Sequence, residues 1–256
     1  DMPTRFVDFM RVLVPMAGDD TTPEGEQVNI YGNHVGSWNF AATAYLNRWK
    51  VKIYYEHYFD DHSQMFFQYG RWKDGHIGLE ITFPKNRFID TFVYEGLGTK
   101  DQTGPMLYDS FWGEFEEQIS AKDNYYNHYL YQGWQHWGMG IGNPLLPGPI
   151  YNKNGQITFI SNRVLAHHIG FCGSPCQSLS YRMLLSYSRH WGTYDNPLNE
   201  IKKQFNSLFE VTYAPQQLKG WSFTVSGAMD RGNLLGNNYG GMLVIRKQGI
   251  IKSGNK

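Results

Sequence analysis

A two-residue alternation of apolar and polar side chains is the feature that most constrains the fold of this 256-residue chain. In residues 221–230 the odd-numbered positions are Trp, Phe, Val, Gly and Met, whereas the even-numbered positions are Ser, Thr, Ser, Ala and Asp. The same separation recurs over residues 76–83 and 181–188. Because successive side chains of a β-strand leave opposite faces of the sheet, this period predicts strands. Segments of about ten residues with one apolar and one charged or polar face are typical of transmembrane β-barrels.

The composition excludes two classes of protein and favours a third. The chain carries 23 basic and 23 acidic side chains, so no net charge attracts nucleic acid, and we expect no nucleic-acid partner. No apolar run approaches the roughly 18 residues that a membrane-spanning helix needs. The mean hydropathy is −0.50, yet the chain contains 18 Tyr and 8 Trp. Low hydropathy with many such rings suits a protein whose aromatic side chains lie at a membrane interface or against sugars.

The alternation predicts twelve strands joined by connections of alternating length. The predicted strands lie near residues 5–14, 36–46, 51–60, 76–84, 88–97, 124–130, 134–142, 164–172, 178–189, 205–214, 220–230 and 239–249. Long connections are predicted at 15–35, 61–75, 98–123, 143–163, 190–204 and 231–238, with short ones between them. Short periplasmic turns and long outer loops produce this pattern in outer-membrane barrels. We therefore predict one all-β domain over residues 1–256, an antiparallel transmembrane β-barrel with a single short loop helix near residues 110–119.

The charged half of the alternation predicts which side chains line the lumen. In the segment 51–60, Lys52, Glu56 and Asp60 share one face, while Ile53 lies on the other. A charge on the lipid face of a barrel costs about 2–4 kcal/mol near the midplane, so the charged face is expected to point inward. The predicted lumen-lining residues are Lys52, Glu56, Asp60, Glu80, Arg182 and Glu210. They form either a structural network of ion pairs or a polar groove for a sugar or an ion.

Signals for catalysis, metals and cofactors are weak, and we predict none of the three. The cluster formed by Asp60, Asp61 and His62 fits a general base or a metal site, but an Asx turn at the start of a loop explains the same residues. The adjacent His167 and His168 point to opposite faces of a strand and cannot share one ligand there. Cysteines occur only at positions 172 and 176, around a Gly-Ser-Pro turn, where a disulfide and two free thiols are both open interpretations.

The aromatic side chains have two interpretations that depend on where they lie. Those at the ends of strands are expected to form interfacial girdles: Trp134, Trp137, Trp221, Tyr125, Tyr126, Tyr129 and Tyr131. Those in the predicted outer loops either pack the loops together or stack on pyranose rings beside polar groups. The predicted glycan-binding residues are Trp72, Trp112, Trp191, Tyr194 and Asp195.

Eight short phrases, taken in order and spacing, carry a family resemblance. They are GNHVGSW (32–38), YEHYFDDHS (55–63), GHIGLE (75–80), TKDQTGP (99–105), DNYYN (123–127), IGNPL (141–145), NRVLAHH (162–168) and WGTY (191–194). Together the phrases resemble the Wzi-like capsule assembly family of Gram-negative outer-membrane proteins. The resemblance runs from about Arg5 to Lys247. It implies a cell outer-membrane barrel of eighteen strands with helical elements in the lumen, and a lectin-like, non-enzymatic role in organising capsular polysaccharide.

The resemblance also sets expectations for partners and completeness. With twelve predicted strands against eighteen, we expect the chain to be the C-terminal portion of a larger barrel, completed by an N-terminal segment or a partner chain. The expected partners are capsular or other surface polysaccharide and outer-membrane lipids. An outer-membrane porin or sugar channel is the main alternative, because the same alternation supports it. A hydrolase that uses Asp60, Asp61 and His62 or His190 is a third hypothesis.

Overall fold

Nine of the predicted strands form one antiparallel sheet in the computed structural model, which describes residues 4–14, 16, 19–21, 34–60, 74–86, 88–102, 123–128 and 133–249. The first four strands are β1 (Val35–Leu46), β2 (Trp49–Asp60), β3 (Gly75–Thr82) and β4 (Thr91–Gly98). A short hairpin follows, β5 (Gln135–His136) and β6 (Met139–Gly140). The remaining strands are β7 (Val164–Cys176), β8 (Leu179–Gly192), β9 (Pro197–Tyr213), β10 (Trp221–Gly232) and β11 (Asn238–Lys247). The order in the sheet is β1-β2-β3-β4-β7-β8-β9-β10-β11, so the predicted all-β antiparallel fold is confirmed.

The strand register separates the side chains into two faces, as the alternation predicts. We call one the polar face, because Lys52 lies opposite Glu80 and Arg182 lies opposite Glu210 on it. On the other, the apolar face, Ile53 lies opposite Leu79. The register places five further apolar residues on the same face: Ile81, Leu185, Val211, Phe223 and Val225. The apolar face keeps large side chains in contact with solvent, since Ile53, Val225 and Leu243 are 55%, 61% and 65% exposed.

The two ends of the sheet carry different connections. The turn end holds residues 47–48, 83–86, 88–90, 177–178 and 214–220, and the loop end holds the described residues 74, 99–102, 123–128, 133–163, 193–196 and 233–237. The predicted alternation of short and long connections therefore holds only up to β8. The long connection predicted over 190–204 is wrong, because β8 continues to Gly192 and β9 already begins at Pro197. Asn233 supports this part of β9, because its Oδ1 accepts a hydrogen bond from the Lys203 N–H at 2.7 Å and its own N–H donates to the Lys203 carbonyl at 3.0 Å.

The strand predicted over residues 5–14 is wrong, because this segment forms the helix α1 (Phe6–Leu13). Four of its six apolar residues recur at positions 6, 9, 10 and 13, which is the spacing of one helix face. Asp8 accepts a hydrogen bond from the Arg5 N–H at 3.0 Å and stabilises the first turn, while Arg11 lies 3.6 Å from the Asp8 carboxylate. No helix within the described ranges is long and apolar enough to cross a membrane.

The described residues between β4 and β7, which are 99–102, 123–128 and 133–163 and which we call the loop segment, pack on the polar face and build the buried core. Tyr126, Leu146 and Phe159 from this segment contact Val164 and Ala166 at the start of β7. Strands predicted over 124–130 and 134–142 are not formed: residues 123–128 are turn and coil, and the second segment contributes only the two-residue strands β5 and β6. Positive φ angles at Trp134 (53°) and Trp137 (51°) interrupt extended backbone on either side of β5. The helix predicted near 110–119 lies outside the described residues.

The two cysteines lie within β7 instead of flanking a turn. Cys172 pairs with Thr91 of β4, and Cys176 pairs with Leu179 across the actual turn at residues 177–178. A shift of register between Gly173 and Cys176 marks an irregularity in the ladder, which accommodates the Gly-Ser-Pro sequence within the strand. Both thiols are free.

Candidate functional site

A cavity of about 730 Å³ lies on the polar face, between the sheet and the segment that follows β4. Strands β1 to β4, β7 and β8 supply its sheet side, and residues 125–126, 134 and 141–146 supply the opposite wall. The polar side chains that reach it from the sheet are Ser37, Glu56, Tyr58, His76, Glu95, His168 and Ser186. A concave site with apolar walls and a few converging polar groups is the usual form of a small-ligand site.

Two carboxylates and a histidine form the charged centre of the cavity. His76 lies between Glu56 and Glu95, with Nδ1 3.8 Å from Glu56 Oε2 and Nε2 3.5 Å from Glu95 Oε1. The Ser37 hydroxyl donates to Glu56 Oε1 at 2.7 Å. On the neighbouring strands, His168 Nδ1 and Ser186 Oγ are 2.6 Å apart. The centre is thus rich in oxygen acceptors and carries donors at fixed positions.

A glycine allows Tyr54 to reach across the sheet and fix Glu95. The register places Tyr54, Gly78 and Glu95 in one row across β2, β3 and β4. The Tyr54 ring lies directly over Gly78, and its hydroxyl donates a short hydrogen bond to Glu95. The ring also meets the edge of His76, with ring centroids 5.6 Å apart. Tyr54 therefore holds both Glu95 and His76 in place.

Aromatic rings from the loop segment form the wall that faces these charges. Tyr126 and Trp134 stack nearly parallel, with centroids 5.8 Å apart and 16° between the planes. Phe159 supports Tyr126 from the side at 5.1 Å. The Tyr126 hydroxyl accepts a hydrogen bond from the Asn143 N–H at 3.0 Å, which joins this ring to the cavity residues 141–146. Flat apolar ring surfaces thus face the acceptors across the cavity.

Asp74 attaches the loop segment to the loop end of β3. Its carboxylate accepts hydrogen bonds from the Asp101 N–H and the Tyr125 hydroxyl, both at 2.9 Å, and a shorter one from the Gln102 N–H. Burial nevertheless raises the pKa of Asp74 from 3.8 to about 6, the hydrogen bonds acting in the opposite direction. Burial also raises the pKa of the Tyr125 hydroxyl, with a further contribution from the Asp74 charge.

The raised pKa of Asp74 makes this attachment dependent on pH. Because the folded-state pKa lies above the unfolded one, the folded state takes up the proton first as the pH falls. The contribution of Asp74 to stability is therefore fully present below pH 3.8 and is lost as the pH rises through about 6.

A second anchor joins the loop segment to β7. Thr99 Oγ1 donates to the Asn162 carbonyl at 2.7 Å and accepts from the Val164 N–H at 3.0 Å. The Asn162 side chain donates to Asn124 Oδ1 at 2.5 Å and to the Tyr125 carbonyl at 2.9 Å. These bonds fix the two residues that precede Tyr126, so the aromatic wall is held by buried polar contacts.

Three of the five predicted glycan-binding residues lie in the described part of the chain, at the loop end. Trp191 has the Arg189 guanidinium and the Lys100 ammonium each 5.2 Å from its ring centroid. The Arg163 guanidinium lies 3.8 Å above the Tyr194 ring, and the Tyr194 hydroxyl donates to the Asp101 carbonyl. Asp195 is exposed in the turn that follows. Trp72 and Trp112 lie outside the described residues. The structure thus places Trp191 and Tyr194 against cations near the loop end, apart from the cavity.

The predicted lumen-lining residues all lie on the polar face, but only Glu56 lines the cavity. Lys52 lies over the Tyr54 ring at 5.2 Å, and Glu80 contacts the Lys50 ammonium at 3.3 Å. Arg182 and Glu210 approach within 3.3 Å near the turn end. Asp60 is buried at the end of β2.

The candidates for a hydrolytic site are not brought together by the described residues. His190 is 1% exposed, and its Nε2 is 2.9 Å from the Ser188 hydroxyl, whereas Asp60 lies at the end of a different strand. Asp61 and His62 lie outside the described residues. Within the described ranges, no group of three or more His, Cys, Asp or Glu side chains is arranged to hold a metal ion.

Several cavity residues were missed or misplaced by the sequence interpretation. Tyr125 and Tyr126 are not girdle residues, because these two residues of the loop segment are only 3% and 7% exposed. Trp134, assigned to the same girdle, lines the cavity, while Trp137 is 86% exposed. Tyr129 and Tyr131 lie outside the described residues. Glu95 shares its side of β4 with Val93 and Leu97, so no alternation in this strand marked it, and only its pairing with Gly78 reveals its place on the polar face.

No protein-family model matches the chain, and no curated protein matches it either.

Proposed function

We propose that this chain is part of an outer-membrane β-barrel protein that binds capsular or other surface polysaccharide and takes part in capsule assembly without catalysing a reaction. The observation that carries the proposal is the pairing of an exposed apolar face with a polar face that bears a cavity lined by aromatic rings and carboxylates. The family resemblance in the sequence adds the identity of the polymer.

The apolar face supports placement in a membrane. Contiguous exposed apolar surface of this extent marks contact with a membrane or with another protein. Barrel strands show an apolar outer band and a polar interior on alternate residues, which is the arrangement that the register produces here. In lipid, side chains such as Ile53 and Val225 are in their preferred environment, and the charges of the polar face remain away from the hydrocarbon.

The cavity supports binding of a sugar. Aromatic ring faces offer an apolar surface to sugar C–H groups, and carboxylates accept hydrogen bonds from hydroxyls. Tyr126 and Trp134 supply the rings, and Glu56 and Glu95 supply the acceptors on the opposite side. A volume of about 730 Å³ falls within the range of small-ligand sites. Our proposal therefore places one sugar-binding site in this cavity, in addition to the loops around Trp191 and Tyr194.

Binding of purified capsular polysaccharide to the detergent-solubilised chain tests the proposal. Trp134→Ala and Glu56→Gln are each expected to weaken binding about tenfold or more, since a stacked ring or a charged hydrogen bond contributes roughly 1–3 kcal/mol. Trp137→Ala is the matched control, because this ring belongs to the same hairpin and is 86% exposed. Equal affinity of all three folded variants would remove the cavity from the binding site.

A porin or sugar channel is the alternative function, and a conductance measurement tests it. Residues 123–128 and 133–163 cover the polar face at the loop end, which favours a filled interior over an open pore. Planar-bilayer recordings of the reconstituted chain are expected to show no large, stable conductance. A steady open pore would favour the porin or sugar channel and contradict the binding role.

A further inference from the structure

Acidic and basic side chains are divided between the two faces of the sheet. Every Asp and Glu of its nine strands whose partner the register gives lies on the polar face: Glu56, Asp60, Glu80, Glu95, Glu210 and Asp230. The Glu200 carboxylate lies 2.6 Å from the ammonium of Lys202, a residue of that face. Basic side chains occur on both faces. The apolar face therefore carries positive charge without acidic partners on its strands.

Three of these cations lie side by side at the loop end of the apolar face. Arg189 of β8 is directly opposite Lys203 of β9, and Arg231 of β10 is paired with Phe205, two residues along β9 from Lys203. All three are exposed, and none forms an ion pair with a described residue. We call Arg189, Lys203 and Arg231 the basic band. Like charges directly opposite each other in a sheet are unfavourable unless an anion lies between them.

The basic band borders the apolar surface. The next residues of the apolar face towards the turn end are Tyr187, Phe205 and Met229. On the loop side lies Trp191, whose ring is 5.2 Å from Arg189 Cζ. Aromatic rings and cations at the margin of an apolar band are typical of the interface where a membrane protein meets lipid headgroups.

We infer that the basic band binds the phosphate groups of lipid headgroups in the leaflet at the loop end, with a phosphorylated glycolipid as the best match. This inference rests on the proposed membrane placement of the sheet. The three cationic side chains project from the apolar face, which lipid covers, whereas the cavity lies on the opposite face of the sheet. A polymer bound in the cavity therefore does not reach them. Two of the three are arginines, whose planar guanidinium donates two parallel hydrogen bonds to one phosphate.

Binding of diphosphorylated lipid A to the full chain in non-ionic micelles tests the inference. The variant Arg189→Gln/Lys203→Gln/Arg231→Gln is expected to lose affinity on the order of a hundredfold, at about fivefold for each cation near a membrane surface. Lys247→Gln is the matched control, a cation of the same face at the turn end, and is expected to bind lipid A as the unchanged chain does.

Four results would overturn the inference. They are unchanged affinity in the triple variant, an equal loss in Lys247→Gln, equal binding of dephosphorylated lipid A, and displacement of lipid A by an equal concentration of inorganic phosphate. A triple variant that lost an anionic polysaccharide and kept lipid A would assign the band to polymer instead.

A separate readout distinguishes this failure from failure of the proposed function. Intrinsic tryptophan fluorescence in vesicles of brominated phosphatidylcholine reports whether the apolar face touches lipid, because Trp38 and Trp221 lie on it. Absence of quenching would refute the membrane placement itself. Strong quenching together with unchanged lipid A affinity in the triple variant would refute the basic band alone.

Discussion

Replacing Gly78 by alanine should break the row of side chains that fixes the charged centre of the cavity. A Cβ atom at this position would lie 2.0 Å from Tyr54 Cζ and 2.2 Å from Cε2. Ordinary van der Waals contact begins near 3.4 Å, so the ring must move by about 1.4 Å. Such a movement carries the Tyr54 hydroxyl away from Glu95.

The expected cost follows from three effects. Forcing a methyl group into a filled site costs about 1–3 kcal/mol. Loss of the hydrogen bond to the Glu95 carboxylate adds about 1.5–3 kcal/mol. Alanine recovers roughly 0.5–1 kcal/mol, because glycine loses more backbone entropy on folding. We therefore expect Gly78→Ala to lower the free energy of unfolding by about 2–5 kcal/mol.

Urea titration of the chain refolded into lipid vesicles measures this loss, and two variants interpret it. Gly240→Ala is the matched control, because a strand glycine of the same face has no heavy atom within 4 Å of the added Cβ. In the background Tyr54→Ala, the substitution at Gly78 should cost less than about 0.5 kcal/mol, since the colliding ring is gone.

Two results would refute the collision between the Gly78→Ala methyl group and the Tyr54 ring. If Gly78→Ala cost no more than Gly240→Ala, the Tyr54 ring would not be held over Gly78 as the structure has it. If the cost persisted without Tyr54, the collision would not be its cause. In either case the account of how Glu95 is positioned would be wrong.

Two further predictions address the membrane and the pH dependence. Val225→Arg places a charge on the apolar face and should make the free energy of insertion into vesicles about 2–4 kcal/mol less favourable if it lies near the midplane. Thr224→Arg, on the polar face, should insert almost normally. Equal protease protection of the two variants would contradict the assignment of the faces. Because the pKa of Asp74 is raised to about 6, this group should make the folded chain about 2 kcal/mol more stable at about pH 4.5 than at about pH 7.5. Asp74→Asn should lose that difference in stability. A variant that kept the difference would show that another group is responsible.

The sequence could predict which side chains of a strand share a face of the sheet, because this depends only on neighbouring residues. Glu56, Arg182 and Glu210 were assigned to one side on alternation alone, and the register places them together. The helix α1 was missed because its apolar residues at 6, 9, 10 and 13 lie in a window short enough to be taken for a strand. The first residues of β9 were missed because Glu200, Lys202 and Lys203 make both of its faces polar, as in a loop.

The cavity was not open to prediction in the same way, because it depends on contacts between distant parts of the chain. Asp74 and Tyr125 are 51 residues apart, and Thr99 and Asn162 are 63 apart. Nothing local to residues 123–128 shows that they turn back over the sheet. The aromatic residues there suggested a girdle, since Tyr and Trp favour interfaces in general. Only the buried anchors reveal that these rings face inward.

The position of the cavity follows from the sizes of the side chains on the polar face. Near the turn end, long side chains pair directly above the sheet, as Lys50 does with Glu80 and Arg182 with Glu210. Towards the loop end the face carries smaller groups, among them Ser37, Ala166 and Ser186. The loop segment cannot descend to meet them, because its anchors at Asp74 and Thr99 hold it at the ends of the strands. The space that remains between short side chains and the aromatic wall is the proposed sugar site. Ser186→Leu should therefore narrow this space without disturbing either anchor, and weaker binding of the polysaccharide by this variant would be the measurable result.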